Sequence, residues 1–180
     1  MLAGEAKGQH RKGGTGQREI EKLEIGEILR PLTEFYQHEI DKAQLTLELT
    51  MDQPLWIAAD REEIQRVFQN LVSNAVKYNR PNGEIRIHGY RDGHYAKISV
   101  QDSGIGMTQE EQDRLFEEFF RAKNSMTRHI TGTGLGLTIV KSIVNAYAGK
   151  IEVQSTFQVG TTFTVSLPLA DAQGEDHQEK

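Results

Sequence analysis

Apolar residues in the first part of this chain follow the period of an α-helix. They recur every three to four residues from Ile25 to Tyr36, which predicts an amphipathic helix that ends near Ala43. Pro31 lies within this segment, and we expect it to kink the helix or to delay its start because its ring fixes φ and removes a donor.

Two further helices are predicted, and each has an end signal. Residues 61–78 follow Asp60, and Glu63 completes the pattern of a capping box. The buried stripe of this helix is expected to consist of Ile64, Val67, Phe68, Leu71, Val72 and Ala75. Residues 139–147 form the third apolar-periodic segment, which we expect to end with Gly149 as its C-cap.

A shorter helix is expected between the second and third of these helices. Thr108 and Glu111 form a second capping-box pattern at its start. We expect this helix to carry Leu115, Phe116, Phe119 and Phe120 on its apolar side. A polar stretch, residues 121–133, then leads to the third main helix.

Alternating apolar and polar positions predict six short strands. They are residues 45–49, 55–58, 84–90, 95–101, 150–155 and 162–167. Turns at Gly93 and at Val159-Gly160 join two pairs of them into hairpins. Helices mixed with antiparallel hairpins predict an α/β fold class, an α+β sandwich in which one mixed sheet carries helices on one face. The chain contains no internal repeat.

The two ends of the chain are polar and are expected to lie outside the fold. Residues 1–19 are rich in Gly, Lys, Arg and Gln, which is typical of a disordered arm or an expression remnant. Residues 170–180 form a polar C-terminal tail. Residues 20–169 between them are long enough for one domain with a sizeable core.

Composition excludes several classes of function. The net charge of −5 argues against a nucleic-acid partner, which would require a basic surface. Because the chain has no cysteine, it can form neither a disulfide nor a thiolate metal site. No apolar run approaches the ~18 residues of a membrane span, and the first residues do not resemble a secretory signal. We therefore expect no direct membrane contact.

A second face of the 61–78 helix carries polar residues suited to a nucleotide. At about 100° per residue, Asn70, Asn74 and Lys77 fall within roughly 60° of one another, and Tyr78 lies at the border of the apolar stripe. An asparagine oxygen suits Mg²⁺, a lysine suits phosphate, and a tyrosine ring can pack against a base. Considered alone, however, this face favours an ordinary solvated surface, and only the later motifs reverse that preference.

A carboxylate followed by two glycines ends the strand at residues 95–101. An ionised Asp102 can only accept hydrogen bonds, so it can receive the exocyclic amino group of adenine and reject the carbonyl of guanine. Gly104 and Gly106 would let the backbone approach a flat ring closely. The alternative for this motif alone is a simple turn that leads to Thr108.

A glycine-rich loop precedes the third main helix. Its residues Thr131, Gly132, Thr133, Gly134, Leu135 and Gly136 could present amides to a phosphate at a helix N-terminus. The spacing G-x-G-x-G, after a polar stretch and not after a strand, disfavours a dinucleotide fingerprint, and no Walker-type loop is present. A glycine loop without a ligand remains the alternative.

The ordered set of motifs resembles the catalytic ATP-binding domain of sensor histidine kinases, a branch of the Bergerat-fold superfamily. The set is NLVSNAVKY, DSGIGM, FEEFFRA, GTGLGL and GTTF, and the resemblance covers about residues 20–169. It implies a five-stranded mixed sheet with three main helices on one face, and Mg²⁺ and ATP as cofactors. It also implies a mobile lid over about residues 121–135, a length that suits a functional loop.

The resemblance assigns roles to the helix and to the acidic turn. Asn74 matches the Mg²⁺ ligand, and Asn70, one turn earlier, is a possible second ligand. Lys77 matches the phosphate-contacting lysine, and Tyr78 matches the aromatic residue that packs on adenine. Asp102 matches the carboxylate that reads the adenine amino group, in a pocket shaped by Gly104 and Gly106.

The resemblance also assigns roles to the lid. Arg121 matches a basic residue near the γ-phosphate, and we expect Asn70, Lys77 and Arg121 to act in catalysis. The lid is expected to be anchored by Phe116, Phe119 and Phe120, with residues 131–136 as its phosphate end. His129, inside the lid, is a weak candidate for a phosphate contact.

None of the six histidines lies in the context expected of a phosphate acceptor. His38-Glu39-Ile40 is nearest, but Asp41-Lys42-Ala43 follows, and the segment belongs to the first helix of the domain itself. We therefore expect the acceptor histidine on a separate dimerisation domain, and we expect residues 20–25 to include the linker from that domain. The downstream partner would be a response regulator. We expect an isolated monomer in the cytoplasm, whose parent kinase could be anchored in the inner membrane.

Two other functions compete with phosphoryl donation. Hydrolysing relatives in the superfamily place a glutamate one turn before the metal-binding asparagine, whereas this chain has Asn70, whose amide cannot act as a general base. The second competitor is a degenerate nucleotide-sensing module. Because every expected ligand residue is present, the sequence favours a kinase.

Overall fold

The computed structural model describes residues 18–122, 127, 130 and 132–170. Its strands are β1 Ile20–Glu24, β2 Thr46–Met51, β3 Trp56–Asp60, β4 Glu84–Asp92, β5 Tyr95–Asp102, β6 Lys150–Thr156 and β7 Gly160–Pro168. Its helices are α1 Ile25–Phe35, α2 Gln37–Lys42, α3 Arg61–Lys77, α4 Gln109–Arg114 and α5 Gly136–Ala146. All six predicted strands are present within one or two residues of their expected ends.

The main sheet has five strands in the order β2-β4-β5-β7-β6. β2 runs parallel to β4, and the other neighbours are antiparallel, so the sheet is mixed as predicted. β1 and β3 pair antiparallel in a separate two-stranded sheet, with Ile20 opposite Asp60 and Glu24 opposite Trp56. The expected linker at residues 20–25 is thus largely a strand of the fold, which its sequence pattern did not indicate.

The core lies between one face of the main sheet and the three longer helices. The predicted stripe of α3 is entirely buried, with Phe68 and Leu71 at 0% exposure. It packs between α1 and α5 and against β5, whose Ile98 is also fully buried. Alternate residues of β4 point into this core while their neighbours face outward. No helix in the described ranges is long and apolar enough to cross a membrane.

The first predicted helix is divided in two. The helical path breaks at Tyr36, where α1 ends and α2 begins. Pro31 lies inside α1 and does not mark the break. Its missing N–H costs one intrahelical hydrogen bond, but the buried side chains of Ile28, Leu29 and Leu32 hold α1 against the core.

The capping box predicted for α3 is present in one of its two bonds, the bond from the backbone of Glu63 to the Asp60 side chain. The Asp60 carboxylate accepts from the backbone nitrogens of Glu62 at 3.0 Å and Glu63 at 3.2 Å. The return bond is not direct, however, because the Tyr147 hydroxyl lies between the two partners. The Asp60 nitrogen donates to that hydroxyl at 3.1 Å, and the hydroxyl donates to the Glu63 carboxylate at 2.5 Å.

α4 begins at a complete capping box formed by Thr108 and Glu111, as predicted. It ends at Arg114, so the prediction that it carries the four following apolar residues was wrong. Phe119 has a left-handed backbone with φ of 61°, which a continuous helix does not allow. Its nitrogen donates to the Gly134 carbonyl at 3.1 Å, and this bond ties the segment to the loop before α5.

The predicted C-cap of α5 was displaced by one residue. Ala148, and not Gly149, has the left-handed conformation, with φ of 53°. The nitrogen of Gly149 donates to the Val144 carbonyl at 3.0 Å, which closes the last turn. A Cβ on Gly149 would lie 2.5 Å from the Ser166 carbonyl oxygen, so close packing on β7 accounts for the glycine.

Candidate nucleotide-binding site

A cleft lies between the polar face of α3, the turn after β5 and the segment that precedes α5. Most of the residues predicted from sequence line it, namely Asn70, Asn74, Lys77, Tyr78, Asp102, Gly106, Arg121, Gly132, Thr133, Gly134 and Gly136. Gly104 and Leu135 lie next to lining residues without lining the cleft themselves, and Thr131 and His129 lie outside the described residues. Three motifs separated by up to 66 positions therefore meet at one site.

Several lining residues were not predicted. They are Ser73, Ile105, Met107, Leu115, Ala122, Thr127, Leu137, Thr161 and Phe163; Phe120, which was expected only as an anchor of the lid, lines the cleft as well. Ser73 lies on the same turn of α3 as Asn74, so helical spacing could have indicated it. Thr161 and Phe163 reach the cleft because β7 pairs with β5, with Thr161 opposite Asp102 and Phe163 opposite Val100. No local signal marks such a pairing.

α3 presents two polar groups to the cleft that are available for a ligand. Among the described residues, neither the Asn74 amide nor the Lys77 ammonium has a hydrogen-bond or ion-pair partner. Asn70 differs, because its Nδ2 donates to the Arg66 carbonyl at 2.8 Å. That bond leaves its Oδ1 directed at the start of α5, where a Cβ on Gly136 would lie 2.5 Å away.

The opposite end of the cleft contains a buried carboxylate. Asp102 is only 7% exposed, and burial raises its pKa to about 6, while hydrogen bonds from the backbone of Gly104 and Thr161 and the charge of Arg80 act in the other direction. Its Oδ1 accepts from the Gly104 nitrogen at 2.8 Å. An acidic group this deep can read a ligand donor without competition from water.

The turn after Asp102 is fixed by close backbone packing. The Ile105 nitrogen donates to the Tyr78 carbonyl at 3.0 Å, and a Cβ on Gly104 would lie 2.0 Å from that same oxygen. Gly106 has φ of +61°, and a Cβ there would lie 1.9 Å from the Thr156 carbonyl oxygen. Side chains are therefore excluded at both glycines, and the turn lies directly on the end of α3.

Arg121 enters the cleft from the segment that follows α4. One of its terminal nitrogens donates to the Ile130 carbonyl. Its Nε is buried and has no hydrogen-bond partner in the described part of the chain. Burying an N–H donor without an acceptor destabilises the folded protein. An anionic ligand in the cleft could supply the missing acceptor.

The donor set decides what kind of metal the cleft can hold. The described residues contain no group of three or more His, Cys, Asp or Glu side chains placed to bind a metal ion. The unpartnered amide oxygen of Asn74 is a hard neutral ligand, which suits Mg²⁺. One neutral oxygen is too little to hold the ion by itself, so the residues fit Mg²⁺ that arrives with phosphate oxygens.

The fold and the cleft together define a nucleotide-binding domain of mixed α/β architecture. A family model described as histidine kinase-, DNA gyrase B-, and HSP90-like ATPase matches residues 59–171. The chain belongs to this family. Its relatives within the family confirm the predicted resemblance to histidine kinases and the prediction of an enzyme of that class.

Two named relatives are sensor kinases much longer than this chain. The circadian input-output histidine kinase CikA of Synechococcus elongatus is 37% identical over 130 residues, covering 72% of this chain and 17% of CikA. The sensor histidine kinase RcsC of Escherichia coli is 36% identical over 161 residues, covering 87% of this chain and 17% of RcsC. The chain therefore spans about a sixth of the length of these relatives.

Solved structures show the same fold. The catalytic domain of histidine kinase ThkA is 29% identical, with a TM-score of 0.73, and the match covers 83% of this chain and 95% of that domain. ThkA has also been solved in complex with response regulator protein TrrA; that kinase chain is 25% identical, with a TM-score of 0.70, and 86% of this chain and 43% of ThkA are covered. The predicted five-stranded mixed sheet with helices on one face is confirmed.

Proposed function

We propose that this chain binds Mg-ATP and donates the γ-phosphoryl group to a histidine on a separate dimerisation domain of its parent kinase. The observation that carries the proposal is the combination, in one cleft, of unpartnered Asn74 and Lys77 with the buried Asp102 carboxylate. These groups match three chemically different parts of Mg-ATP. Asn74 matches the metal ion, Lys77 the phosphates and Asp102 the hydrogen-bonding edge of adenine.

Each residue then has a defined task. Asp102 accepts a hydrogen bond from the adenine amino group, and Tyr78 packs beside the base. Lys77 and Arg121 bind phosphate oxygens, and the backbone amides of residues 132–136 would add further donors to them. Asn74 would hold Mg²⁺, with Asn70 as a possible second ligand, and the ion would neutralise phosphate charge.

Transfer to histidine requires positioning more than covalent chemistry by the protein. The bond between the γ-phosphorus and the bridging oxygen breaks as a phosphorus–nitrogen bond to the imidazole forms, and ADP keeps the electron pair. Lys77 and Arg121 counter the charge that develops on the transferring group. The acceptor and its base would come from the dimerisation domain, so we expect no autophosphorylation by this chain alone.

Rapid ATP hydrolysis is disfavoured by the composition of the cleft. Asp102 is the one carboxylate among its described lining residues, and it lies at the adenine end. Asn70 occupies the position where hydrolysing relatives place a glutamate, and its amide bonds the Arg66 carbonyl. A water at the γ-phosphate would therefore find no general base among these residues. The sensing-module alternative predicts nucleotide binding without transfer to any acceptor.

Residues 20–169 would form the catalytic domain, as a monomer in the cytoplasm, and a response regulator would receive the phosphoryl group from the dimerisation domain. The ThkA–TrrA complex supports a response regulator as the downstream partner.

A reconstitution experiment tests the proposal directly. The chain is mixed with the dimerisation domain of its parent and γ-labelled ATP, and label on the acceptor is followed with time. We expect acid-labile labelling that requires Mg²⁺ and is strongly reduced by Asn74→Asp or Asp102→Asn. Binding of a fluorescent ATP analogue is measured in parallel. Binding without transfer would favour the sensing module, and fast steady-state release of phosphate by the chain alone would favour a hydrolase.

A further inference from the structure

Arg80 connects two segments that border the adenine end of the cleft. Its Nη2 donates to the Gly104 carbonyl at 2.8 Å and to the Gln158 carbonyl at 2.6 Å, and lies 3.5 Å from that of Val159. The nitrogen has two hydrogens, so the two short bonds are the significant ones. Arg80 therefore joins the turn after β5 to the β6–β7 turn, residues 157–159.

The same glycine residue is held from both sides. The Gly104 carbonyl accepts from Arg80, while the Gly104 nitrogen donates to Oδ1 of Asp102 at 2.8 Å. A Cβ on Gly104 would strike the Tyr78 carbonyl, so the turn has no room to move toward α3. The Gln158 nitrogen also donates to the Ile105 carbonyl at 2.7 Å, which adds a second tie to the β6–β7 turn.

The positive charge of Arg80 also acts on Asp102. Within the described ranges, it forms no ion pair with a carboxylate. Its positive charge favours the ionised form of Asp102 and opposes the effect of burial on that group. Arg80 thus affects both the orientation and the charge of Asp102 while lining no part of the cleft itself.

We propose that Arg80 is a positioning residue of the adenine site, which holds the Gly104 peptide so that the Asp102 carboxylate faces the base and thereby sets the preference for adenine over guanine. This inference rests on the proposed function of the cleft. Its effect on the ligand is indirect, through Gly104 and Asp102.

The test compares Arg80→Met, Arg80→Lys and a matched control, Arg86→Met. Arg86 is exposed on β4, pairs with Glu84 at 2.6 Å and lies outside the cleft. Affinities for ADP and GDP are measured by displacement of a fluorescent nucleotide, and melting temperature is measured for each variant. We expect Arg80→Met to lower the affinity for ADP about fivefold to tenfold and to leave the affinity for GDP unchanged. Arg86→Met should leave both affinities unchanged.

The pH dependence of adenosine binding distinguishes a positioning role of Arg80 from a purely structural one. The affinity for adenosine, which has no phosphate, should fall as the pH is lowered and Asp102 is protonated. The pH at which this affinity is halved should be higher in Arg80→Met than in the original chain, because Asp102 has lost a neighbouring positive charge. Arg80→Lys should restore this midpoint while only partly restoring the affinity. The other titratable groups of the cleft, Lys77, Tyr78 and Arg121, are unchanged in these variants.

Each outcome decides the matter. If Arg80→Met has the same ratio of ADP affinity to GDP affinity as the original chain and the same pH midpoint for adenosine binding, the inference is wrong. This holds whatever the melting temperature of the variant. If that variant does not fold, Arg80→Lys with an unchanged ratio overturns it in the same way. Failure of the original chain to bind any adenine nucleotide is a different result, because it removes the proposed function and this inference with it.

Discussion

The backbone nitrogen of Gly104 donates a hydrogen bond of 2.8 Å to Oδ1 of Asp102, and this bond holds a buried carboxylate at the mouth of the sheet. The position is energetically unfavourable for the folded protein, since burial raises the pKa of Asp102 to about 6 from an ordinary value of 3.8. The raised pKa means that ionised Asp102 is retained at a cost to stability. A binding role would account for that cost.

Asp102→Asn should therefore stabilise the protein and abolish adenine binding. The rise of the pKa from 3.8 to about 6 corresponds to ~3 kcal/mol, an upper value for the gain near pH 8. The asparagine oxygen can still accept from Gly104, but its Nδ2 would face the adenine amino group as a second donor. Urea unfolding and nucleotide titration measure the two effects on the same samples.

The pH dependence of that gain gives a sharper check. Because the folded pKa is raised, the destabilisation is absent below about pH 3, where Asp102 is protonated in both states, and complete above about pH 7. The difference between Asp102→Asn and the original chain should thus fall to about half between pH 8 and pH 5. A constant difference would mean that the substitution acts through packing or hydrogen bonding and not through charge.

Adenosine binding should weaken as pH falls through about 6. Protonated Asp102 offers fewer acceptor sites to the adenine amino group, and binding must then meet the cost of deprotonation. Below this pH the affinity should decrease about tenfold per unit. NMR titration with adenosine is suitable, because the ligand has no phosphate that titrates in the same range. A flat profile from pH 8 to pH 5 would contradict the assignment of Asp102.

Much of the fold follows from local sequence patterns, and the departures have long-range causes. The stripe of α3 and the Thr108 capping box depend on residues within one or two helical turns, so periodicity and end signals located them. The pairing of β1 with β3 joins residues 32 to 40 positions apart, and no pattern in residues 20–24 indicates it. The left-handed backbone of Phe119 is likewise tied to Gly134, 15 positions away, and no local pattern indicates it.

The candidate site divides in the same way. Asn70, Asn74, Lys77 and Asp102 lie in motifs whose chemistry can be read directly. Arg80 and Thr161 border the same site through contacts with segments 24 or more positions away. Groups with an evident affinity for a ligand could therefore be predicted from the sequence, whereas groups that act by holding those residues could not.

The Tyr147 hydroxyl should contribute to stability without contributing to the site. It accepts from the Asp60 nitrogen at 3.1 Å and donates to the Glu63 carboxylate, so it completes the N-terminal cap of α3 from the end of α5. In Tyr147→Phe the Asp60 nitrogen loses its acceptor. We expect a loss of about 1–2 kcal/mol, seen as a lower melting temperature.

The control for this change is Tyr95→Phe. Tyr95 is 43% exposed, and its hydroxyl makes no hydrogen bond to the described residues, so its removal should change stability by less than about 0.5 kcal/mol. Nucleotide affinity should be unchanged in both variants, because the cap lies at the opposite end of α3 from Asn74. Equal melting temperatures for the two variants would show that the hydroxyl bridge is not stabilising.

Magnesium dependence should be a property of the nucleotide complex and not of the free protein. The described residues offer no carboxylate cluster for the ion, and Asn74 offers one neutral oxygen without a partner. We expect no detectable heat when Mg²⁺ alone is titrated into the chain, and tighter ATP binding when Mg²⁺ is present. Asn74→Ala should remove most of the Mg²⁺-dependent gain in ATP affinity while retaining adenosine binding.

Asn145→Ala is the matched control, because Asn145 lies exposed on α5 outside the cleft. It should bind Mg-ATP as the original chain does. A loss of adenosine affinity in Asn74→Ala would mean that the substitution distorts α3 and does not report on the metal. If instead Mg²⁺ strengthens ATP binding equally in both variants, the ion is held by other groups, and Asn74 has no role as its ligand.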